Sequence, residues 1–182
     1  MAEKTMNGEL PKISKDNKKF TFVDETKTVI GSDGKEHILH RIKANRDLVL
    51  ADGGIVVRKG ELGGFIEKEE NLDFSENSNA WVFDDAMIYE DAHVTGDAGV
   101  GDNAQVYGNG QVSGKAWVFG NAQIYENAVV SNLAGVSENA KVHGETVVEG
   151  IANVHGKADL TEGKWTHGDI TEKNSVKEAR RP

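Results

Sequence analysis

The chain has no cysteine and only 2 prolines among its 182 residues. The lack of cysteine excludes a disulfide framework and thiolate chemistry. Apolar residues are scarce at 37%, and aromatic ones scarcer at 7%, which is lean for a conventional globular core. Nowhere does the chain reach about 18 consecutive apolar residues, the least a membrane span needs. The opening "MAEKTMNGELPKISK" offers no apolar run for a signal peptide. A cytoplasmic protein with no membrane partner is expected. Positive charge is also short: the net charge is −9, which argues against nucleic acid or an anionic surface as a direct partner. Glycine, by contrast, is plentiful at 21 residues. A repeat protein can build its core from such small residues at fixed intervals.

Charge is unevenly placed. Residues 1–60 carry 12 Lys/Arg against 9 Asp/Glu, whereas residues 80–161 carry 3 against 11. A mildly basic head therefore sits on an acidic body, with a boundary near residues 70–79. The expected organisation is a flexible N-terminus over 1–17 and a β-rich capping region over 18–70. A repeat body over 71–166 and a polar tail over 167–182 follow.

The body is strictly periodic. Every sixth residue from Val82 is aliphatic for fourteen positions: Val82, Ile88, Val94, Val100, Val106, Val112, Val118, Ile124, Val130, Val136, Val142, Val148, Val154 and Leu160. Two residues before each stands a small one, from Ala80 to Ala158, with Gly110 and Thr146 the only departures from alanine. Residues two apart on a strand share a face, so the small and aliphatic positions both point inward. The remaining pair is typically Gly, Glu or Asp followed by Asn or Asp, as in Gly108–Asn109, and tolerates the left-handed backbone of a sharp bend. Each hexad is one flat side of a prism.

The number of sides follows from the aromatics. "AWVFDDAMIYEDA" begins at Ala80, and a near copy, "AWVFGNAQIYENA", begins at Ala116, 36 residues later. That spacing fits coils of 12 or 18 residues. All three tyrosines, Tyr89, Tyr107 and Tyr125, are spaced by 18, which selects three sides. The stacking distance between coils is then about 4.8 Å, and about five coils span roughly 24 Å.

The array resembles the left-handed β-helix proteins built from hexapeptide repeats. It is similar to bacterial and phage proteins with runs of the "V-Y-G-N-A-K" type, here "QVYGNG" and "AQIYENA". Those proteins carry a leader like "LGGFIEKEENL" (62–72) before the array. The resemblance implies an all-β fold: a left-handed triangular parallel β-helix, a hexapeptide-repeat solenoid with an N-terminal β-rich cap. The left hand comes from the resemblance, since general crossover statistics favour the right. "KKFTFV", "EHILHRIKA" and "DLVLADGGIVV" suit the cap, because a stacked coil leaves an open edge that must be covered.

Function is sought on the outward positions. Side one, labelled by Val82, Val100, Val118, Val136 and Val154, presents Trp81/Phe83, Gly99/Gly101, Trp117/Phe119, Gly135/Ser137 and Asn153/His155. Side two presents Met87/Tyr89, Gln105/Tyr107, Gln123/Tyr125 and Lys141/His143, and side three is plainer. Rings lying over neighbouring glycines can simply shield backbone, and a tyrosine column can simply stack. The other reading makes Trp81, Phe83, Trp117, Phe119, Tyr89, Tyr107, Tyr125 and His143 an interface, because aromatics are enriched at interface cores. Either a foreign protein or a second copy, in a dimer or trimer, satisfies it. The acidic corners Asp84, Asp85, Glu90, Asp91 and Asp102 are candidates for phosphate mimicry or for ordinary solvated bends.

Two enzyme classes share the fold, as the resemblance implies. The acyltransferases use a histidine in a trimer cleft and usually interrupt the coil with a loop, whereas no hexad from Ala80 to Thr161 is interrupted. The carbonic-anhydrase-like enzymes bind a metal through three histidines, two of them close in sequence. His93, His143, His155 and His167 lack that spacing, and His37 and His40 lie in the head. The expectation is therefore a non-catalytic scaffold without cofactor or metal. The phage setting of the similar proteins points to inhibition of a host defence protein. A trimeric transferase or metal enzyme is the alternative.

Overall fold

An apolar residue at every sixth position requires a bend at every sixth position, and the backbone supplies one. At thirteen successive corners, from Asp84 to Gly156, the first corner residue has φ between 52° and 70°. Seven of these are glycine and six are Asp, Glu or Asn, the residues that tolerate this region. Between bends lie strands two residues long, such as Trp81–Val82, Met87–Ile88 and His93–Val94. A computed structural model describes residues 9–172 of the chain.

The strands stack into three parallel sheets, one per side, and make a β-solenoid of about six turns. Residues pair with those 18 further on, as in Trp81↔Gly99 and Val82↔Val100. Trp81 N–H donates to the Ala98 carbonyl and Phe83 N–H to that of Val100, and the pattern repeats up the wall. Inside, the alanine and valine columns are fully buried. The solenoid is thus one turn longer than the five expected from the hexads. The first rung is Leu62–Ile66, whose Phe65 and Ile66 pair in parallel with Met87 and Ile88. It precedes Ala80, and although Gly64–Phe65–Ile66 is itself a small-x-aliphatic unit, it pairs with residues 22 further on instead of 18. At the far end Lys164–Trp165 and Asp169–Ile170 are also rungs, pairing with Val147–Val148 and Asn153–Val154.

The head consists of β1 (Phe20–Ile30), β2 (Glu36–Ala44), β3 (Leu48–Val49) and β4 (Ile55–Val57), followed by β5 (Leu62–Ile66), which is the first rung. Antiparallel pairing of β1 with β2 and of β2 with β5 extends side two into an eight-stranded sheet. The first coil's edge is paired on that side rather than open. Phe20, Phe22, Ile42, Leu48 and Val57 join the same apolar cluster as Trp81 and Val82.

Polar contacts tie the chain before β1 to the solenoid. Ser14 N–H and the Asn17 side-chain amide donate to the Glu69 carboxylate, each at 2.9 Å. Lys19 is buried, and its Nζ donates to the Asp73 carbonyl at 2.6 Å and to Ser78 Oγ. Burial lowers its pKa to about 7. The expected flexible and polar termini fall partly on residues 1–8 and 173–182, outside the described residues. Among the described residues no helix is long and apolar enough to cross a membrane.

Candidate functional site

The rigid wall of side one carries the two aromatic pairs, and the head divides them. Trp81 is 1% exposed, although its position on the strand points away from the solenoid interior. Its ring reaches over Gly63, where a Cβ would meet Trp81 Cζ2 at 2.8 Å, and the head's apolar residues close around it. The expectation of an outward, available Trp81 is corrected: its cover comes from residues distant in sequence. Phe83 is partly buried against the same cluster. Trp117 and Phe119, in contrast, are 44% and 43% exposed.

Glycine shielding accounts for part of this geometry. A Cβ on Gly99 would lie 2.8–2.9 Å from three carbons of the Trp117 ring. That ring also stacks on Phe83, with centroids 5.5 Å apart and planes at 22°. Two further apolar residues extend the open surface: Leu133 and Ile151, 62% and 69% exposed. They stand two residues before Gly135 and Asn153, the partners of Trp117 one and two coils on. Sequence reasoning passed over them because they occupy corner positions. The available signal was an aliphatic residue, twice at 18-residue spacing, where a corner usually holds Asn or Asp. Beside Trp117, the β3–β4 hairpin leaves a cavity of about 270 Å³ lined by Leu50, Val56, Phe83, Gly99, Lys115 and Trp117.

Side two holds a ring ladder. Tyr89, Tyr107, Tyr125 and His143 stack at 5.1, 5.0 and 4.6 Å with planes within 4°. The Tyr89 and Tyr107 hydroxyls donate to Gln105 and Gln123 one coil on. Leu39 from the head and Phe65 from the first rung cover Tyr89, which is 3% exposed. Burial, then the neighbouring ring, then Glu90 push the Tyr89 phenol well above its ordinary pKa. Burial likewise pushes Tyr107 up to about 12. His143 ends the ladder between two carboxylates, Asp159 on Nε2 at 2.7 Å and Glu126 on Nδ1 at 3.4 Å. The ladder stabilises the wall through its own stacking, about 0.5–1.5 kcal/mol per pair.

The acidic corners are engaged within the chain. A non-glycine residue at positive φ costs on the order of 1–3 kcal/mol, and a bond to the next coil offsets it. Glu90 Oε2 accepts from Gly108 N–H at 2.6 Å, Asp102 Oδ2 from Gly120 N–H at 2.9 Å, and Asp84 Oδ2 from Asp102 N–H at 3.4 Å. Glu126 does the same for Gly144. Asp85 pairs with Lys27 and Arg41, and Asp91 with Lys68. A hydrogen bond from Lys27 is the main cause holding the Asp85 carboxyl below its usual range.

The histidines disperse. His93 is exposed on side three, His155 approaches Asp169 at 3.9 Å, and His167 meets Thr166. His40 is buried with Nδ1 lacking a hydrogen-bond partner, and burial lowers its pKa. His37 is different: it stands with Asp33 and Glu90 in the one group of three potential metal ligands among the described residues. Neither a scan against protein-family models nor a search of curated proteins returns a match to this chain.

Proposed function

We propose that this chain is a non-catalytic solenoid scaffold that binds another protein through the uncovered half of side one. The observation that carries the reading is the exposure of Trp117 and Phe119 on a wall whose strands are hydrogen-bonded on both sides. Aromatic residues at the centre of such a patch are where binding energy concentrates. Leu133 and Ile151 enlarge it. The left-handed hexapeptide-repeat class, and the phage setting of the proteins that the sequence resembles, make a host protein the partner and inhibition of a defence function the role. The acidic corners are secondary in this reading, because their carboxylates already serve the next coil and the head.

The test compares wild type with a Trp117→Ser/Phe119→Ser double variant in pull-downs from bacterial lysate, read by mass spectrometry. Both side chains are exposed, so the variant is expected to fold, and circular dichroism checks this. A host protein retained by wild type and lost by the variant supports the reading. Equal retention by both moves the contact elsewhere. A light-scattering mass that falls from dimer or trimer to monomer in the variant would instead assign the patch to a second copy.

A further inference from the structure

The β1–β2 turn folds back onto the corner after Tyr89 and brings together residues 57 apart in the chain. His37 Nε2 lies 3.0 Å from Asp33 Oδ1 and 4.0 Å from Glu90 Oε1. All three donor atoms fall within 4.8 Å of one another. Bonds of about 2.0–2.2 Å in a tetrahedral zinc site place donors roughly 3.3–3.5 Å apart, so the two distances to Nε2 bracket that edge. We propose that Asp33, His37 and Glu90 bind one divalent transition-metal ion, which ties the head's turn to the first solenoid corner.

Independent features favour an ion there over a bare cluster of acids. His37 Nδ1 is 2.8 Å from Glu67 Oε1, and Glu67 Oε2 is in turn held by the Glu90 backbone N–H at 2.7 Å. A carboxylate on the far ring nitrogen is the usual support of a ligating imidazole, because it fixes the tautomer that turns Nε2 to the metal. Ser32 donates from both N–H and Oγ to Glu90 Oε1, and Gly108 N–H holds Oε2, so this ligand is oriented in advance. Glycine at 31 keeps the approach open: a Cβ there would stand 2.5 Å from both His37 Nε2 and Glu90 Oε1. Three carboxylates surround a single imidazole, and the lysine nearest them, Lys35, reaches only Asp33, at 3.7 Å. The group opens on a cavity of about 340 Å³ lined also by Lys68 and Asp91, which has room for a further ligand. An imidazole with two carboxylates suits Zn²⁺ better than Mg²⁺ or Ca²⁺, which prefer oxygen donors alone.

The site was hidden in the sequence because its donors come from a turn, a strand and a corner, and only one is histidine. Calorimetric titration of the chelator-treated full chain with Zn²⁺, in excess Mg²⁺, tests it. Wild type is expected to bind one equivalent. Asp33→Asn, which keeps the oxygen that accepts from Lys35 N–H, should bind at least tenfold more weakly. His37→Gln should abolish binding. Asp159→Asn is the control, since His143 has one carboxylate on each ring nitrogen, whereas His37 Nε2 has Glu90 near it as well as Asp33; it should bind as wild type does. In nitrogen NMR, the His37 Nε2 resonance should shift with Zn²⁺ while Nδ1 keeps its proton. Absence of one-to-one binding, equal weakening by Asp33→Asn and Asp159→Asn, or an unmoved His37 ring would each overturn the proposal.

Discussion

The aromatic stretch that starts at Ala80 and its near copy at Ala116 occupy equivalent places on the same walls, yet meet opposite surroundings. Trp81 lies under the head and Trp117 faces solvent. Each ring covers a glycine 18 residues earlier, Gly63 or Gly99, so local sequence gives both the same local job. The cover differs because β1 to β4 reach only the first coils. The departures between the copies record that cover. Asp84–Asp85 in the near copy meet Arg41 and Lys27 from the head, and the far copy has Gly120–Asn121 in their place. Near-identical text thus serves as core in one place and as surface in the other, and tertiary contact decides which.

The comparison can be broken most forcefully at Trp81. Trp81→Ala should cost about 3–5 kcal/mol in urea denaturation, as removal of a buried indole does. A loss no larger than that of Trp117→Ala would show that the head does not pack on side one. Arg41 comes next, since its guanidinium donates to the Gly63 and Asp84 carbonyls, pairs with Asp85, and lies 4.3 Å over the Phe65 ring. Arg41→Met should cost about 1.5–3 kcal/mol, the range for hydrogen bonds to a charged group. Proteolysis should then cut first between β1 and β4. Trp117→Ala forfeits chiefly one ring stack, so about 1 kcal/mol is expected, together with loss of the partner.

The smallest effect belongs to Asp85→Asn, which gives the near copy the far copy's residue. An exposed pair of this kind contributes up to about 1 kcal/mol. The folded-state pKa of Asp85 is lowered, chiefly by the Lys27 hydrogen bond. Its contribution is therefore present above the unfolded carboxylate pKa and lost as pH falls through the folded one. Stability of wild type and variant should differ at neutral pH and converge in acid; a gap that persists in acid would rule out the ion pairs as its source.

Much of this architecture was legible because the hexad is a local code. The aliphatic columns from Val82 to Leu160, the left-handed corners and the 18-residue tyrosine period all follow from spacing. The outermost rungs escaped because they break that spacing. Leu160, Trp165 and Ile170 stand five apart, and the Gly64–Phe65–Ile66 unit in β5 pairs with Met87 and Ile88, 22 residues on instead of 18. At the candidate site, the ring-over-glycine geometry of Trp117 was readable, but the burial of Trp81 was not. Its cover comes from Phe20, Phe22 and Ile42, whose contacts no periodicity encodes. The same limit hid Asp33, His37 and Glu90, which only the folded turn assembles.

The most direct test labels the three tryptophans with fluorine and reads their NMR signals while a soluble paramagnetic agent is added. Trp81 and Trp165 are buried and Trp117 is not. One resonance should broaden early, and it should be the one missing from a Trp117→Phe variant. Equal broadening of the Trp81 signal would contradict a head docked on side one, and a protected Trp117 would contradict a free contact face.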